Sequence, residues 1–417
     1  MRSAAVDRWA AGAPRTLRGM STYRYGILGA GRQGTAAAYD LVVRGEAASV
    51  TLADIDETAA RRAAERVNRL AGMDRASGVR LDVTDRAALV AFLRPLDAFI
   101  AAVSYKLNLA IAEAALEAGT NMCDLGGHTA TALAQVALAE RARGRGIRIV
   151  PDCGEAPGLA NNLMTYATTL LDETDDLLLL DGGLPLHPEP PWNYRVTFAM
   201  DGLTNEYAGG ADWVRNGEIV HVETFDPAEY ELVDLGAPVG TLEAFAAGGG
   251  STLPWTLGRR VPSIRNKVLR YPGHVVQFRA FQAAGFFSEE PIEVDGQPVV
   301  PRRVFHALIE PQIRAPEGFE DIVIAHVIAT GRRSGRPARA VVDLRATRDD
   351  ELGFTGMERT TGWHAAIVCH LLAAGAIPPG AYPVEEAVAP AVMVAALRER
   401  GFPVNESIEL LDEAVPV

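Results

Sequence analysis

Tyr25-Gly-Ile-Leu-Gly-Ala-Gly-Arg-Gln-Gly34 sets Gly29, Gly31 and Gly34 in G-x-G-x-x-G spacing, and Asp54 follows Gly34 by 20 residues. Glycine at these positions permits a tight turn, close backbone approach to a pyrophosphate, and close packing of a helix on a strand. The free amides and dipole at the start of that helix then receive the anion. Asp54 closes the run Val50-Thr-Leu-Ala-Asp54, where its carboxylate would accept hydrogen bonds from an adenosine ribose and repel a 2′-phosphate. Gly29, Gly31, Arg32, Gln33, Gly34, Asp54 and Ser104 are therefore expected to bind a dinucleotide, NAD in preference to NADP.

Other polar groups cluster where strands should end: Ser104-Tyr105-Lys106, Asp124-Leu-Gly-Gly-His128 and Pro151-Asp-Cys-Gly-Glu-Ala-Pro-Gly158. His128 suits proton transfer near neutral pH, and suits equally well a cap on the next helix. Glu155, on a constrained turn, is a substrate ligand or a carboxylate at a helix start. Asp152 reads as a backbone organiser. Further along, Tyr194, Glu206 and Tyr207 share one run, and Gly248-Gly-Gly-Ser-Thr252 would form a backbone nest for a carboxylate. Lys267, Arg270 and His274 gather cations near a turn, while Arg359 and Thr361 begin a helix whose start would receive another carboxylate. Together these cations imply an anionic group on the substrate.

The elements that position them follow from pattern. Strand-like runs at Tyr25–Leu28, Val50–Ala53, Val79–Val83, Ala98–Val103, Met122–Leu125 and Ile147–Val150 alternate with amphipathic stretches at 57–70, 85–94, 106–118 and 129–144. Such alternation predicts a doubly wound parallel sheet, an α/β Rossmann domain over residues 23–172. Residues 173–357 are rich in glycine, proline and strand-like alternation, with Ile219–Glu223, Val275–Ala280, Asp321–Ala329 and Ala338–Ala346 the clearest strands. They predict a second α+β domain with an open, mostly antiparallel sheet, for substrate binding and oligomerisation. Residues 358–400 return to helix, Arg359–Leu372 and then Val384–Arg400, and should pack back on the first domain. Residues 1–22 carry four arginines without an apolar core and read as a disordered extension.

A 417-residue chain, 48% hydrophobic and 22% charged, can bury a large core, and its net charge of −13 argues against nucleic acid and anionic membranes as partners. Of its 40 basic residues only Lys106 and Lys267 are lysines. Cys123, Cys153 and Cys369 are too scattered for a disulfide framework or a metal site, and suit buried thiols in a reducing cytoplasm.

The ordered motifs Asp124-Leu-Gly-Gly-His128, Pro151 to Gly158, Gly182-Gly-Leu-Pro-Leu-His-Pro-Glu-Pro-Pro191, Thr241-Leu-Glu-Ala-Phe245, Arg270-Tyr-Pro-Gly-His274 and Arg359-Thr-Thr361 resemble the saccharopine dehydrogenase superfamily, and within it the L-lysine 6-dehydrogenase branch. The resemblance runs from Tyr23 to about Pro390. It implies a homodimeric, NAD-dependent enzyme that oxidatively deaminates the ε-amino group of lysine to 2-aminoadipate 6-semialdehyde. His128 or Glu206 would move the proton, with Tyr105 beside the nicotinamide. Arg270 and Arg359, helped by Lys267, would hold the α-carboxylate, and Glu155, Tyr194, His274 and Thr361 would complete the pocket. Two positions depart from the pattern: Glu155 replaces a small apolar residue, and Ala246-Ala-Gly-Gly replaces a hydroxyl-bearing run. An added carboxylate at 155 could bind a second ammonium group. The alternatives are a saccharopine- or carboxynorspermidine-type dehydrogenase acting on a secondary amine or another diamine, and a dinucleotide-binding sensor without catalysis.

Overall fold

The computed structural model describes residues 22–412. The extension expected over 1–22 lies outside them except for Thr22, whose backbone amide donates to the Glu46 carbonyl (2.7 Å).

In chain order the first strands are β1 (Tyr23–Leu28), β2 (Ala47–Asp54), β3 (Ala76–Arg80), β4 (Ala98–Ala101), β5 (Asn121–Asp124) and β6 (Arg148–Val150). The later ones are β7 (Glu173–Pro185), β8 (Gly210–Arg215), β9 (Glu218–Glu223), β10 (Glu231–Asp234), β11 (Thr241–Ala246), β12 (Ser263–Arg270), β13 (Ile292–Val294), β14 (Gln297–Val299), β15 (Asp321–Arg333), β16 (Arg336–Thr347), β17 (Gly380–Ala381) and β18 (Val404–Leu410). One sheet has the order β17-β6-β5-β4-β1-β2-β3, and all its pairs are parallel. This is the doubly wound sheet the alternation predicts, with one addition. The two-residue strand β17 is too short to show in any pattern.

Within β1 and β4, Tyr25, Ile27, Ala98 and Ile100 face one apolar core, and Leu28, Phe99 and Ala101 face another. Successive residues of a strand point to opposite faces, so both faces of this sheet are covered. The helices Arg32–Arg44 and Gly356–Ala373 cover the first face. At Gly362 a Cβ would lie 2.8 Å from both Ala36 Cβ and Ala37 N, so glycine lets the returning helix touch its neighbour.

The second, nine-stranded sheet runs β10-β11-β12-β7-β15-β16-β18, with β8 on β12 and β9 on β8. It is mixed and mostly antiparallel; β12 and β7 pair in parallel. Leu177, Leu179, Ala325 and Val327 on one of its faces join the core of the first sheet through Leu163 and Met164. The remaining face carries its own core around Leu178, Ile324 and Leu269.

Two expectations fail here. Val275–Ala280 is not a strand but part of the helix His274–Ala283. The Glu243 carboxylate, reaching across from β11, accepts from the amides of Gly273 (3.0 Å) and Val275 (2.9 Å) and so caps this helix. The acid is about 30 residues upstream, and no local pattern reveals it. Val384–Arg400 is not one helix but two, Val384–Ala387 and Pro390–Glu399. Proline lacks the amide a continuing helix needs, so Pro390 starts a new one.

Candidate active site

The glycine loop leaves β1 and enters the helix Arg32–Arg44. Gly29 has φ +98°, and a Cβ there would stand 2.4 Å from the Ala102 carbonyl oxygen; at Gly34 it would stand 2.1 Å from that of Gly29. Over Gly31 nothing lies within 4 Å of an added Cβ. Gly29 and Gly34 bring chain against chain, and Gly31 leaves open space above a helix start. That first turn carries no acidic residue, and both polar atoms of the Gln33 amide are buried without a partner. An uncapped helix start beneath open space, with an orphaned amide beside it, fits a pyrophosphate. Asp54 at the end of β2 accepts from the amides of Ala30 (2.8 Å) and Asp56 (3.0 Å). Arg32 turns to the rim, donating to the Ala315 carbonyl (2.7 Å) and pairing with Glu358 (3.8 Å).

The ends of β4, β5 and β6 meet beside this loop, where ligands of doubly wound sheets bind. Asp124 organises them. Fully buried, it accepts from Gly126 N (2.8 Å), Asp152 N (3.3 Å) and the Gln135 amide (2.7 Å), and burial pushes its carboxyl up to about 6. Asp152, read from sequence as the organiser, instead accepts the Ser251 hydroxyl (2.5 Å) on one oxygen, and the other is buried with no partner. Ser104 is exposed at the end of β4, and the Tyr105 ring stacks on His128, centroids 5.2 Å apart. His128 caps the helix Thr129–Val136 through Nδ1, which accepts from Thr131 N (3.3 Å). A nitrogen accepting there carries no proton, so the exposed Nε2–H is a donor. This places His128 as a cap with an outward donor and argues against it as the base.

A second group lies on β7, β12 and the helices that follow. Asn205 donates to the Gly127 carbonyl (2.5 Å) and holds the helix Met200–Tyr207 against the loop that leaves β5. Beside it, Arg270 donates to Glu206 Oε1 (2.9 Å) from Nη2 and to Tyr207 Oη (2.9 Å) from Nε. Its guanidinium lies 4.9 Å from the Tyr194 ring centroid. Burial works against the Arg270 charge, and Tyr207, Glu206 and Tyr194 more than offset it. His274 bonds Tyr207 Oη through Nε2 (2.9 Å) and stacks on Phe278 at 4.0 Å; burial, then Arg270, drives its pKa well below the usual range, so it is a neutral core imidazole.

Two further acids face this group, each with a buried oxygen that has no hydrogen-bond partner. Glu155 is 7% exposed and Asp181 5%, and Glu155 Oε1 and Asp181 Oδ1 are both orphaned. Burial first, then the charges of Asp181 and Glu206, raises Glu155 well above the carboxylate range. Burial and Glu206 push Asp181 up to about 8, with Arg270 opposing. Burial also raises Glu206, again against Arg270. The sequence reading missed Asp181, although an acid closing the apolar run Leu177-Leu-Leu-Leu180 is a signal. It also missed His364, fully buried and pinned between the Cys153 carbonyl (3.0 Å) and Asn162 (2.8 Å).

Three expected ligands stand elsewhere. Lys267 is one residue out of phase with Asn266, Val268 and Arg270, so it faces the other side of β12, where Glu231 (2.7 Å) and Glu229 (3.8 Å) pair with it. Arg359 donates to the Thr347 carbonyl (2.9 Å) and lies over Trp363 and Phe402. Thr361 is buried against Met357, its hydroxyl 3.5 Å from Sδ. The helix start they were to offer a substrate is filled by the protein. Asp321 accepts from Gly356 N (2.6 Å) and Met357 N (2.9 Å), and Thr355 and Glu358 form a capping box. The Gly248–Thr252 loop likewise spends its polar groups on the protein: its Ser251 hydroxyl on Asp152, its Thr252 hydroxyl on Glu385 (2.7 Å), its Gly250 carbonyl on Asn161 (3.2 Å).

No group of histidines, cysteines and acids able to hold a metal is present among the described residues, and none of their helices is long and apolar enough to cross a membrane.

The saccharopine dehydrogenase NADP binding domain model matches residues 25–150, and the saccharopine dehydrogenase C-terminal domain model matches residues 154–402. Among solved structures, saccharopine dehydrogenase (L-Glu forming) from Saccharomyces cerevisiae shares the fold. Its TM-score is 0.72 at 17% identity, over 93% of this chain and 100% of that one. A myo-inositol dehydrogenase from Corynebacterium glutamicum is far less alike, with TM-score 0.39 at 12% identity over 94% and 100% of the two chains.

Proposed function

The chain belongs to the saccharopine dehydrogenase family, and on that premise we propose that it is an NAD-dependent dehydrogenase of the ε-amino group of L-lysine. The products would be 2-aminoadipate 6-semialdehyde, which cyclises to piperideine-6-carboxylate, ammonia and NADH. The observation that carries this reading is the buried acidic group, Glu155, Asp181 and Glu206, beside the strand ends that adjoin the glycine loop. Three buried carboxyl groups gathered around one guanidinium favour a cation, as a protonated amine is.

The dinucleotide would lie on Gly29, Gly31, Gln33 and Gly34, and when bound would supply the hydride acceptor. Asp54 supports NAD over NADP, since its carboxylate would meet a 2′-phosphate with like charge. Before its carbon can lose hydride, an alkylammonium of pKa about 10.4 must give up a proton. Glu206 would take it, a reading supported by Arg270 holding its Oε1 and by a side chain that remains 18% exposed. Arg270 would in turn receive the α-carboxylate through the N–H groups not already given to Tyr207, Glu206 and the Leu269 carbonyl (2.9 Å), in place of the Arg359 and Lys267 expected from sequence. The stacked Tyr105 and His128 would wall the nicotinamide side.

The test is NADH absorbance with purified protein and NAD against L-lysine, ornithine, diaminopimelate, saccharopine and diamines. Turnover of lysine supports the proposal. Turnover of saccharopine with silence on primary amines would assign the chain to the secondary-amine chemistry instead.

A further inference from the structure

Of these three buried acids only Glu206 has an ion-pair partner. Arg270 bonds it directly, and Lys267 and Arg359 are turned elsewhere. Glu155 Oε1 and Asp181 Oδ1 stay buried with no donor at all. A buried carboxylate without a partner is costly, and two of them together call for a donor that the chain itself does not supply. The Gly249 backbone passes close to both: it has φ +148°, and a Cβ there would sit 3.1 Å from Asn266 Nδ2, 3.9 Å from Ala156 Cβ and 4.0 Å from Asp181 Oδ1, so glycine lets the chain run between the Glu155 turn and β7.

We propose that Glu155 and Asp181 together hold a second, non-reacting ammonium group, so that the substrate class is a compound with two cationic nitrogens on one aliphatic chain. The inference rests on the amine dehydrogenase reading and deepens it. Glu206 serves the amine being oxidised, and the Glu155–Asp181 pair serves the other. For lysine that other nitrogen is the α-ammonium; for an α,ω-diamine it is the far end. Each carboxylate oxygen accepts one charge-assisted N–H bond, and the two negative charges are relieved of their mutual repulsion at the same time. The pair thereby measures both charge and chain length.

The experiment is calorimetric titration of the cofactor-free protein near pH 9 with L-lysine and cadaverine, and with their singly cationic counterparts 6-aminohexanoate and pentylamine. Wild type should bind each doubly cationic ligand about 10- to 100-fold tighter than its counterpart, the range one or two charge-assisted hydrogen bonds supply. Glu155→Gln and Asp181→Asn should each bring that ratio within about threefold. Both substitutions keep shape and remove a repelling buried charge, so melting temperature shows whether either has failed to fold, and the wild-type ratio stands on its own. Equal binding of pentylamine and cadaverine by wild type, or a preference that survives both substitutions, would overturn the inference. The NADH assay separates this from the parent proposal. Selective binding of dications without turnover sinks the dehydrogenase reading alone, and equal turnover of mono- and dicationic amines sinks the second-ammonium site alone.

Discussion

At the scale of single residues, the charges that meet around Arg270 differ from those the sequence advertised. Arg270, Glu206, Tyr194 and Glu155 were legible as chemistry-bearing residues. Asp181 went unread because one acid in a run of leucines looks like the end of a strand rather than part of a site. Lys267 and Arg359 drew attention because a rare lysine and a cation at a helix start are conspicuous, yet side-chain phase on β12 and capping by Asp321 point both elsewhere. Two predictions belong here. Glu206→Gln should lower kcat by about 100-fold or more, the usual size of a lost proton acceptor. It should also abolish the acid limb of the kcat profile, which in wild type lies above the usual carboxylate range because burial raises Glu206. An unchanged acid limb would remove Glu206 from the mechanism.

The second concerns stability. Asp181 has an ordinary value of 3.8 and stands near 8 in the folded protein, so between those values the native state binds more protons than the unfolded one. Stability then falls as pH rises through that window. The ligand-free protein should lose melting temperature from pH 6 to pH 9, and Asp181→Asn should flatten the slope. A melting curve whose pH dependence ignores the substitution would contradict the charge assignment.

Elements were legible where their signals are local and hidden where a distant residue decides. Alternation of short apolar runs with amphipathic stretches revealed the parallel sheet, because each strand and helix carries its own pattern. The helix His274–Ala283 was misread as a strand because two β-branched residues open it and its cap, Glu243, comes from another strand. The glycine loop allows a paired prediction. Gly34→Ala would drive a Cβ into the Gly29 carbonyl and should cost about 1–3 kcal/mol of stability, visible as a lower melting temperature without ligand. Gly31→Ala meets open space, at a φ of −73° that alanine accepts, so its melting temperature should match wild type while NAD affinity falls about tenfold or more. If the two variants behaved alike, the loop would not be where the pyrophosphate lies.

On the scale of the whole molecule, one core runs from the first sheet through Leu163 and Met164 to a face of the second, so the strand ends and the Arg270 group are held against each other by shared packing as well as by the Asn205–Gly127 bond. Residues from six separate stretches of chain, 104–105, 126–128, 152–155, 181, 205–207 and 270–274, meet at this junction. The sequence shows each stretch but not their meeting, since only tertiary packing selects which faces of β7 and β12 turn inward. The cofactor is chosen at this scale as well. NAD should bind wild type more tightly than NADP, and Asp54→Ser should narrow that preference by about 10- to 100-fold, measured by quenching of protein fluorescence. A preference for NADP in wild type would contradict the role given to Asp54.

The measurement that bears most directly on the account is NADH formation from NAD and L-lysine by the purified protein, run beside 6-aminohexanoate. The account predicts steady turnover of lysine, with 6-aminohexanoate poorer because it leaves Glu155 and Asp181 unpaired. No NADH from lysine or from any other doubly cationic amine, in protein that binds NAD, would contradict it.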